Sequence, residues 1–284
     1  MLNYNNYKSF NEINRIVICN LHKVPEDIDL VVGIPRSGLI ISTLISEYIN
    51  KPATDVFSYI NLIDNKPVNP GSLAPSTDIA NARKILLVDD AVGLGITFEE
   101  TKKLISTKSK CEIITLAPFV EPFSTNKVDI YFEIWQDQFM PWSVFKRGII
   151  EACCDIDGML TEDIPLSVDD DGEKYINFLK NQRPKFRTKR IIHTLVSGRL
   201  EKYRQITEEW LRKHNIKYQN LFLLPAKSKE DKFFNYNVGK FKAEIFRQSG
   251  LPIFFESSIA EAREIKNICK DKAVYCSELG DYIT

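Results

Sequence analysis

The 284-residue sequence lacks several features that would assign it to a specialised class of protein. It has no net charge, since 38 Lys and Arg residues balance 38 Asp and Glu residues, so the overall charge does not indicate a nucleic-acid partner. No apolar run is long enough to span a bilayer, and residues 1–10 contain no apolar core followed by a cleavage site. These absences predict a cytoplasmic protein without a membrane segment.

Cysteine and histidine also give little sign of a metal site or a disulfide framework. The six cysteines show no paired metal-ligand spacing, and several lie in apolar strand patterns, which predicts reduced core residues. His193 lies in a strand pattern and His214 near a predicted helix end, so structural roles are favoured for both. The sequence has no internal repeat, and the short acidic run at residues 169–171 indicates a solvated helix start.

The chain instead contains a regular alternation of strand and helix patterns, at 44% hydrophobic and 27% charged residues. This alternation predicts an α/β protein of two domains, residues 1–147 and 148–284, the first with a parallel sheet flanked by helices. In the first half, the predicted strands are 29–34, 84–90, 112–116 and 128–135, and the predicted helices are 11–23, 38–49 and 97–106. In the second half, strands are predicted at 149–156, 190–196, 220–224, 252–256 and 273–276, and helices at 172–181, 200–215, 240–248 and 259–268. Residues 60–78 have no sustained period and predict a long loop, a candidate active-site lid.

The most informative segment is 84–97, in which an apolar strand leads to Asp89 and Asp90 and then to a glycine-containing turn that opens a helix. Backbone N–H groups at such a turn can surround a phosphate, because they face outward at the start of the helix. The segment resembles the phosphoribosylpyrophosphate (PRPP) signature of type I phosphoribosyltransferases, and the resemblance covers about half of the chain. It implies that the two aspartates accept hydrogen bonds from the ribose hydroxyls and that the turn holds the 5-phosphate.

A second loop after a predicted strand, residues 33–39, resembles the pyrophosphate loop of the same family. Two phosphate-binding turns on neighbouring strands are what a diphosphorylated sugar requires. Together the two loops give the predicted PRPP-binding residues: Pro35, Arg36, Ser37, Gly38, Asp89, Asp90, Ala91, Val92, Gly93, Leu94, Gly95, Ile96 and Thr97. The family usually has two threonines where this chain has Gly93 and Leu94, which removes side-chain donors but keeps the backbone N–H groups. Ser58 and Tyr59 resemble the flexible-loop dipeptide of purine phosphoribosyltransferases.

The acceptor site is predicted from Lys127, Trp135 and Trp142. These residues resemble the region of purine phosphoribosyltransferases in which a lysine reads an exocyclic oxygen and aromatic rings stack on the base. Packing of the aromatic residues at the seam between the two domains is an equal alternative, so these residues do not identify the acceptor.

In the second half, Asp155 and Asp157 follow the strand 149–156, and Gly158 allows a sharp turn that presents both carboxylates. The segment 155–161 resembles the first motif of the haloacid dehalogenase (HAD) superfamily, in which the first aspartate attacks phosphorus and the second protonates the leaving oxygen. The spacing to the next motif is too short for a large cap, so the resemblance implies a HAD-like Rossmannoid domain with little or no cap.

Three further positions match later HAD motifs in order. Ser197 resembles the residue that holds phosphoryl oxygens, Lys242 or Lys240 the lysine that neutralises charge, and Glu256 the metal-binding acid, with Glu261 five residues on. The resemblance implies Asp155, Asp157, Ser197 and Lys242 as catalytic residues. It also implies Mg²⁺ as the cofactor, bound by Asp155, Asp157 and Glu256.

The sequence therefore predicts a bifunctional enzyme. Its first domain would transfer 5-phosphoribosyl from PRPP to an acceptor, with a nucleobase-like ring favoured, and its second would hydrolyse a phosphomonoester such as the 5-phosphate of the product. Two alternatives stay open: ribofuranosyl transfer to a glycan, and a regulatory or defence module that senses PRPP or a nucleotide without transferring it. The sequence is compatible with a homo-oligomer.

Overall fold

The structure is a computed structural model that describes residues 7–64, 79–144, 148–186 and 188–283. The chain divides into two compact units. The first unit comprises Lys8–Gln138, and the second comprises Tyr7 together with the described residues from Phe139 onward. The assignment of residues 1–147 and 148–284 to two functional domains stays a prediction.

The first unit is built on a six-stranded sheet in which all strand pairs are parallel. The order is β2-β1-β3-β5-β4, with β6 also paired to β5. The strands are β1 (Leu30–Gly33), β2 (Ala53–Asp55), β3 (Lys84–Val88), β4 (Ala91–Val92), β5 (Glu112–Val120) and β6 (Ile130–Ile134). The central strands β1 and β3 are apolar along their length because a parallel sheet with helices on its faces buries both sides of each strand. The prediction of a parallel sheet with flanking helices is confirmed for this unit.

In the part of this unit that the structure describes, four α-helices accompany the sheet: α1 (Phe10–Asn20), α2 (Gly38–Ile49), α3 (Val56–Ile63) and α4 (Ile96–Ser106). Helix α1 begins with a capping box in which the Ser9 hydroxyl accepts from the Glu12 backbone N–H and the Glu12 carboxylate accepts from the Ser9 N–H. Helix α2 has the predicted bounds. The sequence pattern thus placed the helix that follows β1 correctly.

Helix α3 corrects the prediction of a loop over residues 60–78. Asp55 caps this helix by accepting hydrogen bonds from the backbone N–H groups of Phe57 at 2.8 Å and Ser58 at 3.1 Å. Tyr59 is completely buried in the core, and its hydroxyl lies 3.5 Å from Cys111 Sγ. Ser58 and Tyr59 therefore belong to a packed helix, while most of the predicted lid, residues 65–78, lies outside the described residues.

The second unit also contains a six-stranded sheet, in the order β12-β11-β10-β7-β8-β9. Its pairs are parallel except for the antiparallel edge strand β12. The strands are β7 (Ala152–Cys154), β8 (Ile192–Leu200), β9 (Tyr218–Leu224), β10 (Ile253–Glu256), β11 (Ala273–Cys276) and β12 (Asp281–Tyr282). The helices are α5 (Glu173–Asn181), α6 (Arg204–Lys213), α7 (Lys229–Asn235), α8 (Val238–Ser249) and α9 (Ile259–Ile268). Strand β7 is shorter than predicted, since residues 148–151 form a 3₁₀ turn.

Both sheets change direction at a pair of adjacent strands. In the first unit the chain moves outward from β1 to β2 and then crosses to β3; in the second it moves from β7 through β9 and then crosses to β10. The loops at the carboxyl ends of such a strand pair diverge and leave a crevice in which α/β proteins bind ligands. The strand order of the described residues therefore places such a crevice between β1 and β3 in the first unit and between β7 and β10 in the second. Within the described residues, the helices are all too short or too polar to cross a membrane.

Candidate active sites

The crevice of the first unit is bounded by the loop after β1 and the loop after β3. Helix α2 begins at Gly38 directly against the second loop: a Cβ on Gly38 would lie 2.8 Å from Asp89 Oδ1 and 2.9 Å from the Val88 carbonyl oxygen. Ser37 makes no side-chain capping bond, and Arg36 is exposed. The N-terminal N–H groups of α2 and the Arg36 guanidinium are thus available to an anion beside the aspartate pair.

Asp89 and Asp90 stand together at the end of β3. The backbone N–H of Asp90 donates to Asp89 Oδ1 at 2.9 Å. Burial and the adjacent charge of Asp90 raise the pKa of Asp89 to about 8. Two carboxyl groups in this position can accept hydrogen bonds from neighbouring hydroxyl groups of a ligand.

The turn between β4 and α4 is supported by residues that follow β5. Gly95 has a φ of 79°, the left-handed conformation that glycine adopts readily, and it starts helix α4 without a side-chain cap. The Ser124 hydroxyl donates to the Gly93 carbonyl oxygen. A Cβ on Gly95 would lie 3.0 to 3.2 Å from the aliphatic carbons of Lys127, whose ammonium group is 3.3 Å from Glu99.

The structure therefore places Lys127 beside the 93–97 turn, and it does not gather the three predicted acceptor residues around one cleft in this unit. Trp135 is 7% exposed and packs edge-on against Phe119, with ring centroids 4.8 Å apart. The Lys8 ammonium lies 5.3 Å from the Trp135 ring centroid. Trp142 is half-buried and belongs to the second unit. The acceptor-binding role of these residues stays a prediction.

In the second unit, carboxylates from β7, β10 and α9 converge on one lysine from α8. Lys242 Nζ lies 2.6 Å from Asp155, 2.7 Å from Glu256 and 2.7 Å from Glu261. Of these, only Glu261 has substantial exposure, at 32% of its side chain. Lys240 is exposed on the same helix, so Lys242 is the lysine that the fold brings to Asp155.

The charges in this cluster do not balance. One oxygen from each of Asp155, Glu256 and Glu261 lies within 4.8 Å of the others, and Lys242 supplies a single positive charge. Burial raises the pKa of Asp155 well above its usual value; Lys242 lowers it, and the two glutamates raise it further. Three carboxylate oxygens at this separation suit a divalent cation such as Mg²⁺, which prefers oxygen ligands and would offset the excess negative charge.

The Asp157 carboxylate, for which the sequence predicts a role as a Mg²⁺ ligand, is paired with a basic side chain. It accepts hydrogen bonds from Arg199, Nη2 at 2.6 Å and Nε at 2.9 Å, and from the Thr161 hydroxyl at 3.2 Å. Burial favours the protonated carboxyl, but the Arg199 charge and hydrogen bonds lower the pKa of Asp157 below its usual value. The cluster therefore groups Glu261, rather than the Asp157 carboxylate, with Asp155 and Glu256.

Ser197 and Gly158 complete this site. Ser197 is fully buried, and its hydroxyl lies 3.5 Å from Asp157 Oδ2. Gly158 has a φ of 76°, and a Cβ there would lie 2.4 Å from the Ser257 side chain, so the turn after Asp157 requires glycine. The predicted residues Asp155, Asp157, Ser197, Lys242 and Glu256 are thus brought together at the carboxyl end of β7.

Sequence reasoning missed Arg199, although the signal was present. It lies two residues after Ser197 in β8, and alternate residues of a strand point to the same face. A basic residue at that spacing from a predicted phosphate-binding serine is a second candidate for the same site.

Comparison with known proteins identifies the first half of the chain. A family model described as phosphoribosyl transferase domain matches residues 3–145, half of the chain. The chain therefore belongs to the phosphoribosyl transferase domain family, and the predicted phosphoribosyltransferase domain is confirmed. No curated protein sequence matches the chain.

Two solved structures illustrate the likeness. The purine phosphoribosyltransferase from Pyrococcus horikoshii Ot3 is 23% identical, with a TM-score of 0.36, over 48% of this chain and 92% of its own. The Helicobacter pylori xanthine-guanine-hypoxanthine phosphoribosyltransferase is 13% identical, with a TM-score of 0.37, over 50% of this chain and 94% of its own. The resemblance of residues 148–284 to HAD phosphatases stays a prediction.

Proposed function

We propose that the protein is a bifunctional enzyme that joins 5-phosphoribosyl from PRPP to a nucleobase-like acceptor and hydrolyses the 5-phosphate of the resulting product. The observation that carries the proposal is the pair of crevices. One has uncapped helix starts beside an aspartate pair, and the other has a buried aspartate bound to a lysine within a carboxylate cluster.

In the transfer step, the bond between ribose C1 and the pyrophosphate oxygen breaks, a bond from C1 to the acceptor forms, and pyrophosphate leaves. Arg36 and the start of α2 would hold the pyrophosphate, and Asp89 and Asp90 would accept from the ribose hydroxyls. The start of α4, with Thr97 exposed in its first turn, would hold the 5-phosphate. The close approach of Gly38 to Asp89 supports this assignment, because a pyrophosphate at the start of α2 would then lie beside a ribose held by the aspartates.

The 5-phosphate position also gains support from Lys127. Its stem packs on Gly95, and its ammonium lies at an exposed glutamate, Glu99, where a phosphate could replace the weak surface pair. Leu94 is 68% exposed and contributes no side-chain donor, so backbone N–H groups and Lys127 would take over the role of the missing threonines. A nucleobase-like acceptor is favoured over a glycan because the first half of the chain matches the phosphoribosyl transferase domain family.

In the hydrolytic step, an Asp155 oxygen attacks phosphorus, the bond to the ester oxygen breaks, and an aspartyl phosphate forms. Lys242 would neutralise charge on the nucleophile and the phosphoryl oxygens, and Ser197 would hold one phosphoryl oxygen. Mg²⁺ bound at Asp155, Glu256 and Glu261 would screen the negative charges of nucleophile and substrate from each other. The backbone carbonyl of Asp157, which accepts from Ser257 at 3.0 Å, lies at the same turn.

Asp157 would move the protons. The ion pair with Arg199 keeps the Asp157 carboxylate an anion in the free protein. An anionic Asp157 suits the second half-reaction, in which it takes a proton from water while the water oxygen displaces Asp155 from phosphorus. In the first half-reaction Asp157 must give a proton to the leaving oxygen. A bound phosphate dianion adds negative charge beside Asp157 and raises its pKa, which favours uptake of that proton.

Three proteins test the proposal: wild type, Asp155→Asn and Asp89→Asn, each incubated with PRPP, Mg²⁺ and a panel of nucleobases. We expect wild type to release pyrophosphate and form a nucleoside, Asp155→Asn to release pyrophosphate and stop at the nucleotide, and Asp89→Asn to release none. Asp89→Asn should still hydrolyse a nucleoside 5′-monophosphate. If Asp155→Asn makes the same dephosphorylated product as wild type, the hydrolytic assignment is wrong; if PRPP binds without being consumed, the transfer assignment is wrong and a PRPP sensor is favoured.

A further inference from the structure

A cavity of about 310 Å³ adjoins the smaller cavity, about 140 Å³, that contains the acidic cluster. Ile164, Gly198, Lys232 and Val238 line both of them, so a ligand held at Asp155 has the larger cavity as its neighbour. We call the larger one the aromatic cavity. Its size falls at the small end of the range for ligand sites, about 300–1,000 Å³.

The walls of the aromatic cavity include four aromatic side chains: Tyr175, Tyr203, Phe233 and Tyr236. Tyr175 and Tyr203 pack edge to face in its wall, with ring centroids 4.8 Å apart. Phe233 is on the short helix α7 and is 77% exposed, which places it at the mouth. Aromatic walls of this kind bind planar rings, because stacking and edge contacts are favourable for any aromatic base.

Tyr175 offers a polar group inside this apolar space. Tyr175 is 5% exposed. Among the described residues it makes a hydrogen bond through its backbone N–H, to Asp170 Oδ1 at 3.1 Å, and none through its hydroxyl. By contrast, the Tyr203 hydroxyl donates to Asp171 Oδ1 at 2.6 Å. Burial, followed by the charge of Asp157, raises the pKa of Tyr175, so its hydroxyl is a neutral donor within electrostatic reach of Asp157.

The charges at the rim are paired with one another. Lys229 lies 2.7 Å from Asp169, and Lys202 lies 2.8 Å from Asp171. The Lys232 ammonium donates to the Gly198 carbonyl at 2.9 Å, at the junction of the two cavities. A ligand that is anionic at one end and neutral and planar at the other matches this distribution of charge. Its anionic end would lie at the acidic cluster, beside the cation proposed there, and Lys232 would lie near the bond that joins the two ends of the ligand.

We propose that the aromatic cavity binds the leaving group of the hydrolytic reaction, and that this leaving group carries a planar ring, as in a nucleoside 5′-monophosphate. The proposal rests on the proposed function of Asp155 as a phosphomonoesterase nucleophile, and it adds the site that binds the ring of the substrate. A sugar phosphate without a ring occupies the acidic cluster and the junction but leaves the aromatic walls without contacts. The second unit is therefore specific for a ring-bearing product of ribosyl transfer.

Neighbouring exposed phenylalanines provide a matched test. Phe233 lines the aromatic cavity, whereas Phe234, 78% exposed on the same helix, does not. Phosphate release is measured with inosine 5′-monophosphate, uridine 5′-monophosphate and ribose 5-phosphate for wild type, Phe233→Ala and Phe234→Ala. We expect wild type to have a KM for the nucleotides at least about tenfold below that for ribose 5-phosphate, as one stacked base provides. Phe233→Ala should raise the KM for the nucleotides about fivefold or more without changing that for ribose 5-phosphate, and Phe234→Ala should resemble wild type.

Equal KM values for nucleotides and ribose 5-phosphate in wild type would overturn the proposal and leave the phosphatase assignment standing. If wild type hydrolyses none of the three esters, the phosphatase assignment fails. Calorimetric titration with inosine then tests whether the aromatic cavity binds a planar ring. A ring-binding site is upheld if wild type binds inosine, Phe233→Ala binds it more weakly, and Phe234→Ala binds it like wild type. Absence of inosine binding to wild type would overturn it.

Discussion

Arg199 donates three hydrogen bonds to the carboxylate of Asp157 from a side chain that is fully buried. Its remaining guanidinium nitrogen, Nη1, lies 3.3 Å from the Thr207 hydroxyl, so helix α6 also holds it in place. Removing one partner of such a pair leaves an uncompensated charge in a place that water does not reach.

We therefore expect Arg199→Met to lower the free energy of unfolding by about 3 kcal/mol, as is typical when one partner of a buried ion pair is lost. The double variant Arg199→Met/Asp157→Leu should recover much of that loss. Urea denaturation of wild type, both single variants and the double variant gives the coupling energy. Arg204→Met is the matched control, because Arg204 forms partly exposed pairs with Glu201 and Glu208 and should cost less than about 1 kcal/mol. Additive single effects at Arg199 and Asp157 would contradict the pairing.

Magnesium should stabilise the protein through the acidic cluster. At about 100 times the dissociation constant, we expect a gain of about 2.7 kcal/mol in the free energy of unfolding, because the ion binds the folded state. Glu256→Gln and Glu261→Gln should each raise the Mg²⁺ concentration at the midpoint of this stabilisation by at least about tenfold. Glu244→Gln is the control, because the Glu244 side chain lies on the same helix α8 and is 45% exposed. Thermal melts over a Mg²⁺ titration measure this, and an unchanged titration midpoint in Glu256→Gln would place the ion elsewhere.

The close contact at Gly38 predicts a specific loss of PRPP binding. In Gly38→Ala the new methyl group would meet Asp89 Oδ1 and the Val88 carbonyl, so the start of α2 must move away from the aspartate pair. We expect the Kd for PRPP to rise about tenfold or more, with a smaller effect on stability. Ile40→Ala, on the exposed side of the same helix, should bind PRPP like wild type. Calorimetric titration compares them, and wild-type affinity in Gly38→Ala would show that the loops do not act together.

Asp89 predicts a pH dependence of stability. Its pKa is about 8 in the folded protein against an ordinary value of 3.8, so between these pH values the folded state holds a proton that the unfolded chain has lost. The contribution of Asp89 to the free energy of unfolding therefore falls as pH rises through this window. Relative to wild type, Asp89→Asn should gain on the order of 4 kcal/mol more stability at pH 8 than at pH 5, since the two pH values are about three units apart and each unit is worth about 1.4 kcal/mol. Denaturation curves at both pH values test this, and a pH-independent difference would exclude the shift.

Much of the fold follows from hydrophobic pattern. The bounds of α2, α9 and β11 were predicted to the residue, because an apolar stripe or a short apolar run ends there at a polar or turn-forming residue. The pattern failed at α3, where Val56, Tyr59 and Ile60 form an apolar helix face next to a segment rich in Asn, Pro and Gly. The helix-breaking residues beyond 64 favour a loop, whereas the Asp55 cap and the apolar face stabilise a helix up to Ile63.

Some features of the candidate sites can be predicted from the sequence and others cannot. Glycines and acids at strand ends lie at the edge of the sheet that the sequence pattern predicts, because their position in the chain determines which edge they reach. The choice between Lys240 and Lys242 depends on the face of α8 that packs on the sheet, and the pairing of Asp157 with Arg199 depends on contact between residues 42 positions apart. Such competition among several charges for partners is settled by three-dimensional distance, which spacing along the chain does not encode.

The placement of Tyr7 has a consequence for fragments of this protein. Tyr7 belongs to the second unit, where its ring meets those of Phe139 and Tyr282 at 5.8 and 4.4 Å between centroids. The polypeptide therefore crosses between the units twice, once after Tyr7 and once after Gln138, and the first unit is inserted into the second. A protease that cuts only near residue 138 would leave the halves joined by a second covalent strand. An expressed fragment that starts at 148 would lose Tyr7 and Phe139, and its edge strand β12 would be left without that aromatic cover.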